Sequence, residues 1–184
     1  MQKNQIIRND ETGESLTILE SECENGGLRQ IYQVELPTHR TSPPLHYHVA
    51  FTETFSVVEG SLDIYIGKDR QHRQLKKGEN ITVMKFQLHT FENSSDTSCV
   101  MRVETKPPGG VVQAFQIAYG VANDGNAAKD GLPANPIVRL RFVQISQGFL
   151  PRIPIVMQRA IFAIGAMISK MTGVEAKLQK YLAD

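Results

Sequence analysis

Between Gln5 and about Thr105 the chain is a run of short apolar segments separated by turn residues, with no helical period anywhere in it. "ESLTILES" and "LRQIYQVEL" have strand composition, and "ENGG" between them is a turn signal. "SLDIYIGKDRQHRQL" reads as a hairpin, because Leu62, Ile64 and Ile66 alternate with Asp63 and Tyr65 and "GKDR" supplies the turn. "ENITVMKFQ" and "SCVMRVET" are two further strands. Short strands with turn signals at this spacing fold as a sandwich or a barrel, since each strand buries only alternate side chains and needs a second layer to cover them.

The pattern changes at "KPPGG", Lys106 to Gly110. Beyond it Val111, Phe115, Ala118 and Ala122 recur at helical spacing and stop at "NDG". "GLPANP" is a loop in which Asn135 can cap a second helix with Pro136 at its first position, running to about Ser146 and ending at Gly148. A third helix starts near Pro154 and carries an apolar stripe of Met157, Ile161, Ile164, Ile168 and Met171. Thr172 and Glu175 have capping-box spacing, so Gly173 marks a break before a short final helix.

Charge narrows the partners. Twenty Lys and Arg against 19 Asp and Glu leave a formal net charge of +1, which offers no concentrated basic face for nucleic acid. The N-terminus is polar, and "AIFAIGAMIS" lies between Arg159 and Lys170, short of the ~20 apolar residues that span a bilayer. Cys23 and Cys99 are far apart and in no metal-like or redox-like spacing, as for free thiols in a reducing compartment. The expectation is a cytoplasmic protein.

"PPLHYHVAFTETFSVVEG", Pro43 to Gly60, carries the chemistry. In a strand, residues two apart share a face, so His46 and His48 project together while Leu45, Tyr47 and Val49 point the other way. Glu53 follows beyond a short turn, and "GENITVMKFQLHTFEN" supplies His89. Three imidazole nitrogens and one carboxylate oxygen suit a divalent first-row metal and leave positions open if the ion takes five or six ligands. His39 and His72 sit in polar surroundings and read as surface residues.

The same stretch resembles the first motif of the cupin superfamily, HxH-x4-E-x6-G, filled by His46, His48, Glu53 and Gly60. The second cupin motif, G-x5-P-x-G-x2-H-x3-N, is matched by Gly78, His89 and Asn93, with Met84 and Phe86 standing where the motif has Pro and Gly. The resemblance covers roughly residues 28–108. It implies a mainly β fold, a cupin-like antiparallel β-barrel (jelly roll) over residues 1–108, with residues 109–184 as a C-terminal α-helical extension. It also implies one divalent transition metal per chain (iron, manganese, nickel or zinc) held by His46, His48, Glu53 and His89. Gly60 and Gly78 are expected in turns, and Asn93 is expected to fix a turn rather than to touch substrate.

If Glu53 points inward, so do Phe55 and Val57. The period of two adds Leu62, Ile64, Phe91, Met101 and Val103. Met84 and Phe86, beside His89, complete the expected apolar pocket, with Phe86 narrowing it. These residues either line a substrate cavity or fill the barrel. Arg40 is the one basic residue expected near the mouth. The helical stripe is expected to pack on the barrel or across a homodimer interface; a membrane-surface helix flanked by Arg152, Arg159 and Lys170 is the alternative.

Function follows by analogy alone. Cupins with three histidines and one glutamate include dioxygenases, so the expectation is a dioxygenase-like oxidoreductase acting on a small apolar or aromatic substrate, with Glu53 as ligand or as base. The alternatives are an isomerase or decarboxylase, and a non-catalytic protein that binds a small molecule beside a structural or anchoring metal.

Overall fold

A computed structural model describes residues 2–41 and 43–182. Among these residues ten strands form two antiparallel sheets. The larger takes β1 (Ile6–Arg8), β2 (Ser15–Glu20), β3 (Gln30–Leu36), β10 (Cys99–Lys106), β5 (Thr52–Glu59) and β8 (Asn80–Val83), in that spatial order. The smaller takes β4 (Arg40–Thr41), β9 (His89–Asn93), β6 (Ser61–Ile66) and β7 (Gln71–Lys76). This is the expected cupin-like jelly roll.

Alternation decides which residues face inward. On the larger sheet Ile18, Tyr32, Val103 and Phe55 pair in register across four strands, and Leu16, Val34, Met101 and Val57 form the row beside them. All eight are buried. Leu62, Ile64 and Leu75 face them from the smaller sheet. Each such side chain, once buried, stabilises the fold by about 1.5–3 kcal/mol, which is why the register cannot slip by one residue. Gly60 joins β5 to β6 at φ +75°, where any Cβ would run into the Ser98 carbonyl. Glycine is required there on both counts.

Four helices follow: α1 (Val111–Asn123), α2 (Pro136–Ile145), α3 (Ile155–Met171) and α4 (Val174–Leu178). One side of α1, with Val111, Val112, Ala114, Ala118 and Tyr119, joins the barrel core. Its other side, with Ile117 and Val121, packs on Val138 of α2 and Leu178 of α4. So α1 is the layer between barrel and outer helices. Asn135 caps α2, its side chain accepting from the N–H groups of Ile137 and Val138 at 2.9 and 3.3 Å.

The capping-box expectation fails. Thr172 and Glu175 form no capping box: the Thr172 hydroxyl donates back to the Ile168 carbonyl, and Glu175 is taken by Arg141 and Ser169. Of the two places expected for the stripe of α3, the barrel exterior is not the one it takes. Gln158, Phe162, Gly165 and Ser169 are the buried residues of α3, and Gly165 lets the Leu140 side chain of α2 approach so closely that a Cβ would collide with it. Small residues at that contact set the face on which α3 docks, and Met157, Ile161, Ile164 and Met171 are left exposed.

Candidate metal centre

The histidine pair lies on extended backbone that is not a regular strand. His46 pairs with His89 through two backbone hydrogen bonds, of 3.1 and 2.8 Å, and Tyr47 pairs with Phe149 in the segment between α2 and α3. These bridges anchor successive residues to opposite neighbours, so His46 and His48 still project to one side. Tyr47 on the other side stacks on Phe149 with ring centroids 5.7 Å apart. Glu53, second residue of β5, and His89, first residue of β9, complete a group of four whose ligand atoms all lie within 4.8 Å of one another.

The hydrogen bonds fix which nitrogen each ring presents. Nδ1 lies 2.9 Å from the Pro44 carbonyl in His46, 3.0 Å from that of Gln147 in His48, and 3.2 Å from that of Gln87 in His89. A carbonyl only accepts, so each Nδ1 carries a hydrogen, and Nε2 is the nitrogen that each ring turns inward. Glu53 Oε2 stands 3.2 Å from His48 Nε2 and 3.0 Å from His89 Nε2. Lone pairs set against a carboxylate oxygen repel unless positive charge lies between them. Ligands bonded to one ion at about 2.1 Å stand roughly 3.0–3.4 Å apart, from octahedral to tetrahedral geometry. The donor set and the two Glu53 spacings therefore fit a divalent metal, and the carbonyl partners are the kind of outer support that holds metal-bound imidazoles in orientation.

Charge and burial point the same way. Burial pushes the Glu53 carboxyl up, but hydrogen bonds from His48 and His89 more than reverse this and hold it below the usual carboxylate range, the part a cation takes when it stands between rings and carboxylate. Burial, helped by the nearby rings of His89 and His48, lowers His46 to about 3, although the ring keeps some exposure at the cavity mouth. The site thus keeps Glu53 as an anion and disfavours a charge on His46. Phe51 stacks on His48 with centroids 4.3 Å apart, and Gly109 makes room for it, since a Cβ there would overlap the Phe51 ring.

His46, His48 and Glu53 line a cavity of about 290 Å³, and His89 is fully buried behind them. Phe55, Phe91, Met101 and Val103 line it. Val57, Leu62 and Ile64 do not: they are buried in the core farther from the ligands, because the barrel is filled there by side chains from both sheets. Met84 and Phe86 lie outside altogether, 59% and 65% exposed, so Phe86 does not narrow the cavity. Phe86 instead has φ +65°, a left-handed conformation in which its N–H reaches the His48 carbonyl at 2.7 Å. The loop thus keeps the turn that suits the glycine of the motif, while the side chain is directed outward beside Tyr47.

Much of the remaining wall comes from residues that strand periodicity could not single out. Val111, Phe115, Ala118 and Tyr119 of α1 and Phe142 of α2 close the end of the barrel. The 3.6-residue spacing of the α1 residues marked a buried face without saying that a cavity lay beneath it. Tyr32 and Tyr119 are 3% exposed, and among the described residues neither hydroxyl has a hydrogen-bond partner. Arg40 does reach the cavity, paired with Glu14 through Nε at 3.1 Å. His39 and His72 sit apart from the site, on Asp96 and Asp63. Asn93 is fully buried, donating to the carbonyls of Leu36, Pro37 and Thr97 and accepting from Ser95.

A family model described as "Cupin domain" matches residues 32–104. Among solved structures, KdgF from Halomonas sp. is 14% identical, the match covering 55% of this chain and 87% of that one at a TM-score of 0.48. A predicted oxalate decarboxylase from Thermotoga maritima is 17% identical, covering 58% and 93%, also at 0.48. The polyketide cyclase RemF from Streptomyces resistomycificus is 19% identical, covering 52% and 68% at 0.45. No curated protein matches the chain.

Proposed function

The chain belongs to the cupin superfamily, and from that premise we propose that it is a mononuclear metal-dependent enzyme, an oxygenase for small, largely apolar molecules. One observation carries the reading: the Nε2 atoms of three histidines and one oxygen of Glu53 converge beside an apolar cavity that α1 and α2 close. A divalent transition ion held by His46, His48, Glu53 and His89 supplies Lewis acidity and, if redox-active, electron transfer to dioxygen.

The chain's own groups divide the rest of the work. Phe55, Phe91, Met101 and Phe115 receive an apolar or aromatic body and exclude water. The hydroxyls of Tyr32 and Tyr119 donate to an oxygen on that body, which turns one end of the substrate toward the histidines. Glu53 is the proton acceptor, at its carboxylate. The two other acidic residues at the cavity are engaged, Glu14 with Arg40 and Asp130 with Arg139.

The second reading is a small-molecule-binding protein with an anchoring metal. It is favoured by the same engagement of Glu14 and Asp130, which leaves Glu53 as the sole acidic candidate for acid–base work. Oxygen uptake separates the two. The iron, manganese and nickel forms should be screened against flavonoids, catechols and small diketones. The enzyme reading expects uptake by at least one form, abolished in metal-loaded Glu53→Gln because an amide is not a base. No uptake by any form favours the binder, and uptake that survives in Glu53→Gln removes Glu53 from the role of base.

A further inference from the structure

α3 is amphipathic the wrong way round for a helix whose partner is its own fold. Its buried residues are Gln158, Phe162, Gly165 and Ser169. Toward solvent stand Val156, Met157, Ile161, Ile164, Met167 and Met171, from 42% exposed at Ile161 to 78% at Met171. An apolar strip of this kind along 17 residues, about 26 Å of helix, marks an interaction surface.

Charge identifies what the strip meets. From Gly131 to Val174 the chain has no Asp or Glu, while Arg139, Arg141, Arg152, Arg159 and Lys170 fall within it. Glu175, the first acidic residue beyond, is taken by Arg141 at 2.7 Å. Pairing α3 with α3 of a second copy would set Arg159 and Lys170 against each other with no acidic side chain on either helix to separate them. An anionic surface has the complementary charge. We propose that α3 lies flat on a membrane containing anionic lipid, its Met, Ile and Val side chains among the acyl chains and its basic residues at the headgroups.

Flat is the orientation the fold allows. Among the described residues no single helix is long and apolar enough to cross a bilayer. The following segment, Val174–Tyr181, is bent 85° from α3, and its Leu178 and Tyr181 pack back toward α1. The docked helix also carries one wall of the cavity with it. The Gln158 side chain accepts from the Leu150 N–H at 2.9 Å and donates to the carbonyls of Leu150 and Ile153, and Leu150 lines the cavity.

The test is sedimentation of the full chain with vesicles of phosphatidylcholine alone and of phosphatidylcholine with phosphatidylglycerol, alongside light scattering in solution. Binding is expected to the mixed vesicles and to weaken with added salt. Ile164→Glu should lower it at least about tenfold, and Arg159→Glu with Lys170→Glu by roughly fivefold per charge lost. All three residues are exposed, so circular dichroism should match the wild type; Met167→Glu is the replacement if it does not. No binding to the mixed vesicles, equal binding to both kinds, or binding indifferent to these substitutions overturns the proposal. So does a dimer in solution that Ile164→Glu dissociates, which would assign the strip to a second copy.

Discussion

Replacing Asn93 with alanine separates a residue that builds the site from one that works in it. The amide nitrogen donates at 2.8 Å to the carbonyls of Pro37 and Thr97 and at 3.3 Å to that of Leu36, tying the turn after β9 to the end of β3. The amide oxygen accepts from the N–H and hydroxyl of Ser95. Ser95 can turn to water, but the carbonyls around the fully buried nitrogen cannot do so easily, and each buried group left unpaired costs about 1–3 kcal/mol. Stranding the equivalent of two gives about 3 kcal/mol. At about 2–4 °C per kcal/mol for a chain of this size, the melting temperature should fall by roughly 6–12 °C. Asn93→Asp should be no better, because a carboxylate cannot donate and would face three carbonyl oxygens. Urea unfolding of metal-free protein reads the loss directly, and metal content should stay near wild type because no ligand is touched. A loss below about 1 kcal/mol, or metal lost with stability intact, would refute the hydrogen-bond account.

Three further outcomes follow from particular residues. Unfolded His46 titrates near 6.5 and the folded group at about 3, so the unfolded state binds the extra proton between those values. Metal-free protein should therefore lose stability as pH falls from about 6.5 toward 3, and His46→Gln should flatten part of that slope in urea midpoints; parallel slopes would count against it. Phe86→Gly should change stability by less than about 1 kcal/mol, since relief at φ +65° offsets the added freedom of glycine when unfolded, whereas Phe86→Val should be about 1 kcal/mol worse than glycine. Gly165→Ala should loosen the α2–α3 contact and cost about 1–3 kcal/mol through the clash with Leu140; an unchanged midpoint would show that Leu140 moves aside freely.

The four candidate ligands were legible because each sits where local pattern controls direction: Glu53 at an inward position of β5, His89 at the start of β9, and two histidines on one side of an extended segment. The helix starts were legible for the same reason, as with Asn135 and Pro136, whose capping chemistry is local. What could not be read depended on distant partners. Met84 and Phe86 lie in a turn after β8, so strand alternation places neither. Val57, Leu62 and Ile64 point inward as their period requires, but whether an inward residue meets space or another side chain is settled by the opposite sheet. The strip on α3 has core composition, and only the small residues at Gly165 and Ser169 decide that the other face docks. The Gln147 carbonyl that orients His48 is 99 residues away in sequence and leaves no side-chain signal at all.

The metal content of tag-free protein tests the central claim most directly. Elemental analysis after extensive dialysis at neutral pH should find close to one divalent ion per chain in the wild type. It should find almost none in the His48→Ala/His89→Ala double variant, which removes the two nitrogens nearest Glu53 Oε2. A wild type that takes up no divalent ion when iron, manganese, nickel and zinc are each supplied, or a double variant that stays fully loaded, would contradict the assignment of this cluster as a metal centre.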